Sequence, residues 1–143
     1  MRRKDRNAKT RLLADIPLFS ACTKTDLNRI AALVDELEAP KGKVLTKQGN
    51  PGRECFIIAD GRAKASIRGR RSIGLGPGSF FGEMALLDQG PRTATVTAET
   101  DMHLLVLDSR SFSSLIEDIP GVGRKVLRAL AERLRDAEHE PTH

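Results

Sequence analysis

The chain has 143 residues, a formal net charge of +5, five phenylalanines and neither tryptophan nor tyrosine. That length suits one domain able to bury roughly two thirds of its unfolded surface, and no apolar run approaches the ~18 residues of a membrane-crossing helix. No apolar stretch of the secretory kind follows Met1-Arg2-Arg3-Lys4-Asp5-Arg6, and the widely separated Cys22 and Cys55 read as reduced thiols of a cytoplasmic protein.

Residues 1–11 read as a basic tail, in which Arg2, Arg3, Lys4, Arg6, Lys9 and Arg11 face only Asp5. Such a segment attracts nucleic-acid phosphates. With so few aromatic rings on which bases could stack, a solvated tail is the simpler reading. A single domain is expected over 12–138, with a second short tail at 139–143.

Helices open the domain, over 12–35. Leu12, Leu13 and Ile16 form a short apolar stripe that Pro17 interrupts. Thr23 stands three residues before Asp26, as in a capping box, and Leu27, Ile30, Ala31 and Val34 then follow a helical period.

From Glu36 the pattern changes to short apolar stretches between glycines and prolines, which predicts an antiparallel roll over 36–107. Strands are expected at Val44-Leu45, Cys55–Ile58, Ala63–Ile67, Thr93–Ala98 and His103–Leu107, the last of them central. Asp60-Gly61 reads as a hairpin turn.

Helical signals return over 109–138. Asp108 is a candidate N-cap for a helix carrying Phe112, Leu115, Ile116 and Ile119, which ends near Pro120. Val122, Val126, Leu127, Leu130 and Leu134 then form a stripe on a second helix, about Gly121 to Glu138. The predicted class is therefore α+β: an antiparallel, jelly-roll-like β-roll flanked by N-terminal helices and two C-terminal helices, with one short helix inside the roll sequence.

That short helix belongs to the stretch richest in chemistry, Phe80-Phe81-Gly82-Glu83-Met84-Ala85-Leu86-Leu87, followed by Pro91-Arg92-Thr93-Ala94-Thr95-Val96. Gly82 lets a ligand approach the backbone, and a helix start after it leaves the N–H groups of Glu83, Met84 and Ala85 open to an anion. Arg92 supplies a planar fork suited to two phosphate oxygens. Glu83 is a poor neighbour for a bare phosphate but a good acceptor for a hydroxyl, so the pair fits a ligand with both a phosphate and a sugar hydroxyl. The alternative is a surface turn in which Glu83 and Arg92 pair with each other.

This stretch resembles the phosphate-binding cassette of cyclic nucleotide-binding domains, the family of the bacterial catabolite activator and the protein kinase A regulatory subunit. Ile16-Pro17-Leu18-Phe19 is similar to the family's opening helical turn. Gln48-Gly49-Asn50-Pro51-Gly52 stands at its Q-G-D-x-G-D turn, with Arg53 in place of the usual acidic residue. Phe56 to Gly61 is similar to its F-x-I-x-x-G strand, and Leu75 to Glu83 resembles the run into the cassette of bacterial cyclic-nucleotide-gated potassium channels.

The resemblance implies that Glu83 accepts the ribose 2′-OH and Arg92 binds the exocyclic phosphate oxygens, while Gly82, Glu83, Met84 and Ala85 offer backbone N–H groups. It implies that Thr93 reaches the phosphate or the purine, and that the last helix closes over the base, with Arg133 at a base-contacting position or on a solvated face. The implied ligand is cyclic AMP, with cyclic GMP as the alternative because of Thr93, and no cofactor is expected.

The expected role is a sensor without catalysis: His103, His139 and His143 form no metal-ligand pattern, and no nucleophile–base pair is evident. The last five residues after the terminal helix hold no helix-turn-helix, so sequence-specific DNA binding is not expected. The output would pass to a fused domain, an effector protein or a second copy docked through the terminal helices. A domain excised from a channel or another effector, and a degenerate scaffold that binds nothing, are the alternatives.

Overall fold

The structure is a computed structural model that describes residues 9–68, 72–82, 91, 92 and 94–139. The chain is helical over 9–14 (α1), makes one 3-10 turn at Pro17–Phe19, and enters α2 at Lys24–Leu33. The capping box forms as the sequence predicts: Asp26 N–H donates to Thr23 Oγ1 and Thr23 N–H to the Asp26 carboxylate, both at 3.1 Å. Such a cap is worth about 1 kcal/mol. No basic residue occupies the last turn of α2; Lys9 supplies the cation from α1, donating to the carbonyls of Ala31 at 2.9 Å and Val34 at 2.5 Å. An ammonium there meets acceptors that the helix itself leaves unpaired.

Eight strands follow among the described residues: β1 Asp35–Ala39, β2 Val44–Thr46, β3 Glu54–Asp60, β4 Ala63–Ser66, β5 Ile73–Leu75, β6 Phe80–Phe81, β7 Thr95–Ala98 and β8 Met102–Asp108. They form two antiparallel four-stranded sheets, in the orders β1-β8-β3-β6 and β2-β7-β4-β5. Helices α3 (Ser109–Asp118) and α4 (Pro120–His139) close the chain. Asp108 caps α3 by accepting from Ser111 N–H at 2.8 Å.

The first sheet is the middle of three layers. Cys55, Ile57, Phe80, Leu105 and Leu107 face the helices, where Leu13, Phe19, Ile30, Phe112, Leu115 and Val126 meet them. The alternate residues Phe56, Ile58, Phe81, Leu104 and Val106 face the second sheet and its small Ala63, Val96 and Ala98. Coverage on both faces is why Leu104-Leu105-Val106-Leu107 is an unbroken apolar run. The central position expected for this strand is observed, since β8 pairs with both β1 and β3.

Three expectations are corrected. Asp60-Gly61 is a turn, with Gly61 at φ +95°, but not a hairpin: β3 pairs with β8 and β6, whereas β4 pairs with β5 and β7. The turn passes the chain between sheets, and a Cβ at Gly61 would lie 2.5 Å from the Asp101 carbonyl oxygen. The strand expected from Thr93 is described from Thr95, with a bend at Ala94 before it and Thr93 outside the described residues. Leu127, expected in the apolar stripe of the second helix, is 68% exposed, while Val122 and Val126 on α4 are buried. The short helix expected after Gly82 lies outside the described residues.

Candidate functional site

Arg92 is the site's centre. It is 9% exposed, one of two polar or charged residues buried among those described. Its Nη1 donates to the Glu54 carbonyl at 2.7 Å and the Gly82 carbonyl at 3.2 Å, which uses both N–H bonds of that nitrogen. The Cζ lies 5.7 Å from the Phe56 ring centroid, and Phe56 in turn stacks on Phe81 with centroids 5.0 Å apart. Carbonyl dipoles and an aromatic face together offset the cost of withdrawing a guanidinium from water.

Two glycines flank this side chain, for different reasons. Gly82 has φ +87°, a conformation L side chains avoid, and a Cβ there would come 2.5 Å from Arg92 Nη1 and 2.9 Å from the Glu54 carbonyl oxygen. Gly52 has an ordinary backbone, yet a Cβ on it would lie 2.1 Å from Arg92 Nε, 2.4 Å from Cζ and 2.6 Å from Cδ. The guanidinium thus passes directly over the Gly52 backbone.

The turn that carries Gly52 is fastened to Arg92 through the main chain. Gly49 N–H donates to the Arg92 carbonyl at 2.9 Å, Arg92 N–H donates to the Asn50 carbonyl at 2.8 Å, and Pro51 and Pro91 form an isolated antiparallel bridge. Gln48 extends the fastening: its N–H donates to Thr95 Oγ1 and its Oε1 accepts from Arg68 N–H. The start of β7 and the segment just after β4 are therefore tied to the same turn.

Beside that turn the inner face of the second sheet presents an apolar row, Val96–Ala65–Ile73, in register across β7, β4 and β5. Val96 is buried, Ala65 half-buried and Ile73 50% exposed; the half-buried Leu75 shares its face. Phe56, against which Arg92 sits, packs in the same cluster as Val96, Ala65 and Leu75, so a cation and an aliphatic surface are neighbours, an arrangement suited to an amphiphilic anion.

Of the residues singled out in the sequence, Gly82 and Arg92 are brought into contact. Glu83, Met84, Ala85 and Thr93 lie outside the described residues. Arg133 falls within α4, with its side chain outside the description. The sequence reading missed Gly52, the Glu54 carbonyl, Phe56 and the apolar residues Ala65, Ile73 and Leu75. A signal existed for Gly52 alone: a second glycine, three residues after Gly49, in a turn whose positive φ Gly49 already supplies. Among the described residues no three His, Cys, Asp or Glu side chains are grouped to hold a metal ion, and no helix is long and apolar enough to cross a membrane.

An antiparallel roll between helices, with a buried arginine fastened against a glycine turn, defines a class of β-roll domains. The profile of the cyclic nucleotide-binding domain matches residues 36–118, and the chain belongs to that family. It is 37% identical over 119 residues to a putative potassium channel protein of Rhodopseudomonas palustris, covering 80% of this chain and 29% of that protein. It is 36% identical over 129 residues to a CRP-like cAMP-activated global transcriptional regulator of Mycobacterium tuberculosis, covering 87% of this chain and 58% of the regulator. Its fold superposes on the crystal structure of the Thermus thermophilus catabolite activator protein with a TM-score of 0.75 at 32% identity, over 85% of this chain and 60% of that one. The chain thus spans about a third to three fifths of the length of these relatives.

Proposed function

We propose that this domain binds cyclic AMP and reports its presence through the terminal helix. The observation that carries the reading is the buried Arg92 guanidinium, whose described partners at Nη1 are neutral main-chain carbonyls and which sits against Phe56, a ring packed in one cluster with Val96, Ala65 and Leu75. An arginine placed in this way pays its desolvation before a ligand arrives, so a phosphate meets a cation that is already oriented.

In this reading Arg92 binds the exocyclic phosphate oxygens, and the backbone N–H groups of Gly82, Glu83, Met84 and Ala85 share the charge. Glu83 accepts the ribose 2′-OH. Thr93 adds a hydroxyl at the phosphate or the purine, and the purine rests against Ala65, Ile73 and Leu75. Arg133 reaches the base from α4. Cyclic AMP is favoured because the regulator of Mycobacterium tuberculosis is described as cAMP-activated; cyclic GMP is the alternative that Thr93 would accommodate. The role is regulatory, with no chemical step assigned to any residue and no cofactor called for.

The output passes through α4. That helix is tied to the N-terminal segment, since Lys125 Nζ donates to Ser20 Oγ at 2.9 Å, and it exposes Leu127. A ligand that binds better to one position of α4 shifts the helix toward that position by its differential affinity. A fused domain, an effector protein or a second copy of the chain then meets the moved surface. The domain proposed for this role spans 12–138 and reads no DNA sequence by itself. Titration calorimetry with cyclic AMP, cyclic GMP and AMP tests the assignment. Saturable binding of a cyclic nucleotide, with AMP much weaker, is expected; equal indifference to all three would leave a scaffold domain instead.

A further inference from the structure

We propose that Gly52 is a positioning residue for ligand binding: its missing side chain sets the place of the Arg92 guanidinium. The inference rests on the reading of Arg92 as the phosphate-binding group. The two glycines beside Arg92 separate cleanly on physical grounds. Gly82 is needed by the backbone itself, with its positive φ and the nearby Glu54 carbonyl. Gly52 has neither need: its φ is ordinary, and the three nearest atoms a Cβ would meet all belong to the Arg92 side chain, at 2.1, 2.4 and 2.6 Å.

A methyl group at 52 cannot coexist with the observed guanidinium, because carbon and nitrogen atoms in non-bonded contact sit at roughly 3.5 Å or more. The strand and turn atoms around Gly52 need not move, since the long arginine side chain is the softer partner. Swinging it away separates Nη1 from the Glu54 and Gly82 carbonyls and carries the cation off its seat over Phe56. The cost to the fold is limited to those contacts, while the binding group is misplaced. Gly52 therefore acts through Arg92 and not by touching the ligand.

The test is a double-mutant cycle read by calorimetry with cyclic AMP on the whole chain. Gly52→Ala is expected to weaken binding on the order of tenfold or more, with a loss of stability no greater than that of Arg92→Ala, which gives up the same two carbonyl contacts. In the Arg92→Lys background, whose slender stem bends past a methyl group, Gly52→Ala is expected to add little further loss. Equal losses in both backgrounds would mean that Gly52 serves only the turn, and the proposal would be overturned. Unchanged affinity in Gly52→Ala would overturn it as well. Should Gly52→Ala fold poorly, denaturation measured in both backgrounds separates the cases: a loss of stability that Arg92→Lys relieves comes from the Arg92 side chain, and one equal in both backgrounds comes from the turn and overturns the proposal. A wild-type chain that binds no cyclic nucleotide would sink the functional reading itself, whereas a binding wild type with an equally binding Gly52→Ala sinks this inference alone.

Discussion

The Arg92 guanidinium and the main-chain carbonyl of Glu54 are joined at 2.7 Å across 38 residues of sequence. That bond links the start of β3 to the segment before β7, strands that belong to different sheets. A group proposed to hold ligand is thus also a tie between the two halves of the roll.

The first prediction follows from that double duty. Arg92→Ala leaves the Glu54 and Gly82 carbonyls, both in part-buried bonds, without the guanidinium, and a loss of about 1 kcal/mol is expected, the low end for an acceptor left unsatisfied. Urea denaturation of the ligand-free protein should show a loss of that order. A variant as stable as the wild type would mean that water replaces the guanidinium without penalty.

Gly82→Ala is predicted to be worse for the fold than Gly52→Ala. At φ +87° an added Cβ strains the backbone and also presses on the Glu54 carbonyl, a combination costing on the order of 1–3 kcal/mol. Comparing the two denaturation midpoints checks it; equal stability of the variants would contradict the distinction between a conformational and a spatial glycine.

The cap of α3 gives a pH dependence. Hydrogen bonds from the Ser111 main chain and side chain, with a smaller contribution from Arg110, hold the Asp108 carboxyl below its ordinary value. The folded state therefore takes up that proton less readily than the unfolded chain, so the stabilisation is complete above the ordinary carboxylate range and fades as pH falls through the lowered value. Asp108→Ala should cost about 1 kcal/mol near neutral pH, with the gap to wild type narrowing below about pH 4. A gap of constant size across that range would be inconsistent with a charged cap.

The two thiols should differ in reactivity. Burial, then the Asp26 carboxylate, push the Cys22 thiol up, and Lys125 partly offsets them. Less thiolate at neutral pH means slower alkylation than for a free thiol, slower still in Lys125→Met. Cys55, 1% exposed, should react only on unfolding. Timed alkylation of Cys22→Ser and Cys55→Ser variants reads both; rapid labelling of the native Cys22→Ser protein would place Cys55 at the surface.

Local signals in the sequence were reliable where the structure they encode is local. Thr23 with Asp26, and Asp108 before Ser111, act over three residues, and both caps are present. Asp60-Gly61 shows the limit: the dipeptide specifies a reversal, but whether the strands on either side pair is decided by partners as distant as His103 and Ala98. Phe80-Phe81 is a two-residue strand legible only through its pairing with Ile57 and Phe56. At the site, Gly82 and Arg92 announced themselves by residue type. The need for Gly52 did not, because the side chain that occupies its missing Cβ comes from 40 positions further along.

The central claim is that Arg92 is the group that captures a cyclic nucleotide phosphate. Calorimetric titration of wild type and Arg92→Lys with cyclic AMP tests it most directly, because lysine keeps the charge and removes the fork. The account predicts saturable binding to the wild type and affinity lower by about tenfold or more in the variant. Equal affinity in the two proteins, or no binding to the wild type, would contradict it.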